Sequence, residues 1–99
     1  MSLKKIIWSK RAAMQFNNAI NYIRSQSDQN ADKVKLTVLT NIEKLSYSVH
    51  EHRQDPLKKN NDGNHRYFEL LKLRISYYST PGEIIITRIR HTKQEPKQY

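Results

Sequence analysis

Apolar residues along this chain change their period once. From Ala12 to Leu45 they recur every three or four positions: Ala12, Ala13, Phe16, Ala19, Ile20 and Ile23, then Ala31, Val34, Val38, Ile42 and Leu45. That spacing lines one side of an α-helix, which repeats every ~3.6 residues. Two helices are predicted, with Ser9 and Asn30 as N-cap candidates, because a side-chain oxygen there accepts an otherwise unpaired N–H of the first turn. The polar stretch "RSQSDQN", Arg24 to Asn30, is the turn between them. A link that short makes the pair an antiparallel hairpin.

Before the hairpin, "LKKIIW" (Leu3 to Trp8) is a short β-rich run; after it the period falls to two. The runs "RYFELL", "LRISYY" and "EIIITRI" are rich in aromatic and β-branched residues, and "STPG" between the last two is turn chemistry. They predict a three-stranded antiparallel meander. Residues 46–64, "SYSVHEHRQDPLKKNNDGN", hold Pro56, Gly63 and many polar side chains and read as loop. The first strand must pair at one edge of the meander to bury its apolar residues. The expected fold is therefore α+β: an N-terminal strand, a two-helix antiparallel hairpin, then the meander, with the helices on one face of a small sheet. Ninety-nine residues suit one such domain, spanning 1–99.

Alternation along each strand assigns side chains to faces. Arg66, Phe68 and Leu70 should oppose Tyr67, Glu69 and Leu71. Arg74, Ser76 and Tyr78 should oppose Leu73, Ile75 and Tyr77. On the last strand Ile84, Ile86, Arg88 and Arg90 should oppose Ile85, Thr87, Ile89 and His91. Register, which decides which arginines converge, is not fixed by one sequence.

Charge narrows the class of partner. Eighteen Lys+Arg against nine Asp+Glu give a formal charge of +9, spread over both halves of the chain. A field of that sign attracts polyanions: nucleic acid, ribosome or an acidic protein. No cysteine is present, which excludes disulfide and thiolate chemistry, and the four histidines are too scattered for a metal site. No cofactor or metal is expected. Neither a membrane-length apolar stretch nor a signal-peptide core occurs, so a cytoplasmic location is expected.

The order of elements, with "WSKRAAMQF" opening the first helix, "YIRSQS" at its end, the loop "DPLKKNNDGNHR", the strand "LRISYY" and the ending "IIITRIRHTKQEP", resembles the RelE/ParE superfamily of bacterial toxins. The likeness covers almost the whole chain. Its ending "RIRHTKQEP" is more similar to the ParE-like and plasmid-stabilisation branch than to RelE-like ribonucleases. The resemblance implies the toxin of a type II toxin–antitoxin pair, held by a cognate acidic antitoxin in a hetero-oligomer. RelE-like members cleave messenger RNA on the ribosome, whereas ParE-like members poison DNA gyrase. Three readings follow: a metal-independent, ribosome-dependent endoribonuclease, which is favoured slightly; a gyrase inhibitor; and a non-toxic antitoxin-binding regulator.

RNA cleavage requires a base for the ribose 2′-hydroxyl, cations for the developing phosphorane charge and an acid for the leaving oxygen. Arg66, Arg74 and Arg90 are candidates for charge stabilisation, and Lys58, Lys59, Arg88 and Lys93 for phosphate binding. His91 is the first candidate for proton transfer, since an imidazole ordinarily titrates near ~6.5. Glu69 is a second base candidate. Tyr99 resembles the C-terminal aromatic residue of some ribonuclease members, as acid or base-stacking group. Each has a plain structural counterpart. Arg74 would equally brace the sheet through a carboxylate such as Glu69, Arg88 and Arg90 would form a solvated strand edge, and His91 would cap the strand end. His50, His52 and His65 read as loop histidines on the surface.

Overall fold

The computed structural model describes residues 3–48, 52–94 and 96–99. The elements run β1 (Lys5–Trp8), α1 (Lys10–Arg24), α2 (Asp28–Glu43), α3 (Leu45–Ser48), β2 (Arg53–Gln54), β3 (His65–Leu70), β4 (Leu73–Ser79) and β5 (Glu83–His91). One five-stranded sheet has the order β1-β5-β4-β3-β2. The expected fold class is thus borne out, with β1 at an edge beside β5, in parallel register from Lys5↔Glu83 to Trp8↔Ile86.

The core lies between the helical hairpin and one face of this sheet. Ala12, Phe16 and Ile20 of α1 and Ala31, Val34, Val38 and Ile42 of α2 bury their stripe against Ile75, Tyr77, Ile84, Ile86 and Ile89. Trp8 packs on Phe16 with ring centroids 5.4 Å apart. Burying a side chain of this size contributes roughly 1.5–3 kcal/mol, so the apolar periodicity is what attaches the hairpin to the sheet. Ser9 caps α1 as expected, its Oγ accepting from Ala12 N at 3.0 Å.

Four local expectations are corrected. The cap of α2 is Ser27, not Asn30: Ser27 is extended (φ −163°), and its hydroxyl accepts the Asn30 N–H at 3.1 Å. The helix therefore begins earlier, and Arg24 at the end of α1 reaches across the turn to Asp28 and Asp32 at 3.4 and 3.0 Å. The segment 46–64 is not all loop. Arg53–Gln54 adds a short strand antiparallel to β3, where sheet pairing overrides a polar local composition. Leu71 leaves its strand, because Leu71 and Lys72 form a two-residue turn between β3 and β4 with φ of 50° and 67°. Positive φ at both central residues matches the right-handed twist of a tight hairpin, at a cost of about 1–2 kcal/mol for each side chain that is not glycine.

The fourth correction matters most for the site. Between Ser76↔Arg88 and Tyr77↔Ile86 the register of β4 and β5 shifts, which leaves Thr87 as the extra residue of a β-bulge. A bulge reverses the alternation beyond it. Ile84 and Ile86 face the helices, yet Arg88 and Arg90 face the opposite side, and Ile89 returns to the core at 3% exposure. Uninterrupted alternation would have pushed two guanidinium groups into the apolar layer. Where β5 runs past the end of β1, Gln15 of α1 takes over and accepts the Ile89 N–H through Oε1 at 2.8 Å.

Candidate functional site

The register now decides which cations meet. Arg74 lies opposite Arg90 on β5 and opposite Glu69 on β3; Ser76 lies opposite Arg88 and Tyr67. These six residues share the face of the sheet that carries no helix. Over it fold the segment after β2 and residues 97–99.

At the centre sits Asp55, with 2% of its surface exposed. Its Oδ1 accepts from Arg74 Nη2 at 2.7 Å and from Leu57 N at 3.0 Å. Its Oδ2 accepts from Ser76 Oγ at 3.0 Å and from the Tyr99 hydroxyl at 2.5 Å. Burial alone would push this carboxyl up, but hydrogen bonds from Tyr99, Leu57 N, Arg74 and Ser76 together outweigh it and hold Asp55 below its ordinary value. The group is a buried carboxylate fully supplied with donors. Burial, reinforced by the Asp55 bond, pushes the Tyr99 hydroxyl up to about 12.

The chain holds Asp55 in place through backbone and amide bonds. Asp55 N donates to His65 O at 2.8 Å, and Asn61 Oδ1 accepts from Gly63 N and His65 N at 2.8 and 3.1 Å. Gly63 adopts φ +92°, where a β-carbon would be strained. The turn around Asn61 thereby returns the chain to β3 with Asp55 beneath it. Asp55 was missed by sequence reasoning. Its signal is "RQDPLKK", a lone carboxylate among three cations just before Pro56, and the Leu57 N–H to Oδ1 bond is the turn such a dipeptide favours.

Arg74 also has Glu69 at 3.8 Å, and its guanidinium stacks 3.7 Å from the centre of the Tyr67 ring. Arg88, 6% exposed, donates from Nη1 to the Lys97 carbonyl at 2.8 Å and lies 4.6 Å from the centre of the Tyr99 ring. Burial lowers the pKa of Arg88, and the neighbouring charge of Arg90 adds to the effect. Lys58 approaches the same ring at 5.3 Å. Among the sequence candidates, then, Arg74, Arg88, Arg90, Lys58 and Tyr99 gather on one face. Lys59 joins through its backbone, donating N–H to the Tyr99 carbonyl at 2.7 Å.

The remaining candidates lie elsewhere. His91 pairs opposite Leu73 on the helix side of the sheet, and its Nδ1 accepts from Lys93 N at 3.0 Å. With Lys93 it lines an open groove of about 790 Å³ bounded by α1, the start of α2 and the Leu71–Lys72 turn. Arg66 pairs opposite Tyr77 on that same side and donates to the His52 carbonyl at 2.7 Å. His52 stacks on Phe68 and His65 tilts against Tyr78, so neither is a bare loop side chain; His50 lies outside the described residues. Among the described residues no group of His, Asp and Glu has metal-binding geometry, and no helix is long and apolar enough to cross a membrane.

A β-strand, a helical hairpin and an antiparallel meander on a single sheet, with a cationic helix-free face, constitute the fold of a RelE/ParE-superfamily type II toxin. The family model for the ParE toxin of the type II toxin–antitoxin system parDE matches residues 6–96, and the chain belongs to that family. The solved structure described as "Chromosomal ParDE TA system from P. aeruginosa" is similar in fold, with a TM-score of 0.72 at 16% identity, over 92% of this chain and 98% of that one. No curated protein matches the sequence.

Proposed function

We propose that this ParE-family toxin arrests growth by binding DNA gyrase, without nuclease chemistry of its own. The observation that carries this reading is the protonation chemistry of the cationic face. RNA cleavage needs a base and an acid that exchange protons at working pH. Asp55 is held below the usual carboxylate range with its oxygens occupied, Tyr99 is pushed up to about 12, and His91 lies on the other side of the sheet. Besides Tyr99, the proton-transfer candidate on this face is Glu69, exposed and 3.8 Å from Arg74, so the face is better supplied with fixed cations than with groups that move a proton. Its arginines then serve as a docking surface for an anionic or DNA-bound target.

An acidic, amphipathic antitoxin is the proposed partner, folding on the basic surface as it binds. Ribosome-dependent cleavage of messenger RNA is the second reading, favoured by one observation: Arg74, Arg88 and Tyr99 do converge.

Two assays separate these readings. Purified gyrase with the toxin should accumulate cleaved-DNA complexes, and their absence across a wide toxin range would overturn the gyrase reading. Primer extension on a defined message in reconstituted translation should show an intact message. Cuts that need ribosomes would establish the ribonuclease, and their loss in His91→Ala would restore His91 to the chemistry. Growth unaffected by induced toxin without antitoxin would instead indicate a non-toxic regulator.

A further inference from the structure

The cations of the open face are satisfied in different ways. Arg74 meets a carboxylate, Asp55, at 2.7 Å. Arg88 instead donates to a neutral backbone carbonyl, that of Lys97, while Lys58 donates to the Lys59 carbonyl and to the main-chain oxygen of Tyr99. The Tyr99 ring lies against both. Residues 97–99 are fastened by a further backbone pair, Tyr99 N to Leu57 O at 2.9 Å and Lys59 N to Tyr99 O at 2.7 Å. An ionised acceptor gives hydrogen bonds roughly twice as strong as a neutral one, so an oxyanion is a better partner for Arg88 than the carbonyl it holds.

We propose that residues 97–99 are a displaceable cover: in the closed form Tyr99 occupies the ground between Arg88 and Lys58, and a phosphate-bearing ligand reaches these cations only by lifting it. Asp55 has two roles in this arrangement. It neutralises Arg74, so that the sheet does not carry uncompensated buried charge, and it anchors the cover through the Tyr99 hydroxyl. The device goes beyond the gyrase reading and does not depend on it, since any target that brings phosphate groups to this face would work it.

The test is titration of the full-length toxin with inorganic pyrophosphate, followed by NMR at the Arg88 Nε–Hε and Tyr99 ring signals. Pyrophosphate should move both together. Tyr99→Ala, which has no ring to lift, should bind ~10-fold tighter. Tyr99→Phe, which keeps the ring and loses only the anchor to Asp55, should fall between it and wild type. Arg88→Met, which retains the aliphatic stem, should lose the response. A dispersed amide spectrum of Tyr99→Phe guards the comparison against misfolding of the alanine variant. A short oligodeoxythymidine without terminal phosphate separates the sources: a response to both probes assigns backbone phosphodiesters, and a response to pyrophosphate alone assigns a terminal phosphate. Equal affinity in all three Tyr99 forms, an unmoved Tyr99 signal on binding, or no response to either probe would overturn the proposal.

Discussion

The two faces of the sheet are held by opposite kinds of force. On the helix side, Ile75, Tyr77, Ile84, Ile86 and Ile89 meet the stripes of α1 and α2, and the attraction is non-directional and proportional to buried area. On the open side, Asp55, Arg74, Ser76 and Tyr99 are joined by short directional bonds in which each group satisfies another. An apolar core can give a little when one side chain is trimmed. A buried charge network cannot, because each lost partner leaves an unsatisfied group behind. The contrast teaches that a small basic domain keeps arginines in a nearly dry setting by giving each a built-in partner, a carboxylate for Arg74 and a carbonyl with an aromatic ring for Arg88.

Asp55→Ala should have the largest effect, a loss of about 3–5 kcal/mol in urea unfolding, since Arg74, Ser76 and Tyr99 lose their shared acceptor. Ile86→Ala on the helix side should cost about 2–5 kcal/mol, and a loss much larger than that of Asp55→Ala would reverse the ranking of the two faces.

Acid and base should also act on the open face. Asp55 is lowered in the folded state, so its contribution is complete above the unfolded value near pH ~4 and is lost as pH falls through the folded one. Tyr99 is raised to about 12, so its contribution is intact below pH ~10 and disappears as pH climbs toward the folded value. Urea midpoints measured against pH should show both slopes in wild type, and Tyr99→Phe should lose the alkaline one. The smallest change expected is a gain. Replacing Leu71–Lys72 by Asn-Gly should raise stability by about 1–2 kcal/mol, because glycine removes the strain of one positive φ and asparagine eases part of the other, offset by the freedom glycine gives the unfolded chain. Thermal denaturation would check it, and a loss would mean that the half-exposed Leu71 packs usefully where it is.

The chain's periodicity carried the architecture. Apolar spacing of three and four defined α1 and α2, alternation defined the meander, and the need to bury Ile6 and Trp8 put the first strand at the sheet edge, because each pattern has a single geometry that hides its apolar side. Ser9 was legible as a cap since its cue is local. Composition marked a basic surface, and the order of motifs marked the superfamily. The site was legible in part of its membership and not in its arrangement. Arg74, Arg88 and Tyr99 stood out as residues, but a one-residue bulge at Thr87 reversed the face of Arg88 and Arg90, left His91 on the helix side, and has no composition cue of its own. Asp55 became the hub only because β2 pairs with β3 and the turn around Asn61 folds a distant carboxylate onto the sheet. Periodicity is a property of neighbours in sequence and can be read along the chain. A charge network joins Asp55 to Arg74, Ser76 and Tyr99 across long intervals, so only the register and the tertiary fold could decide which charges meet.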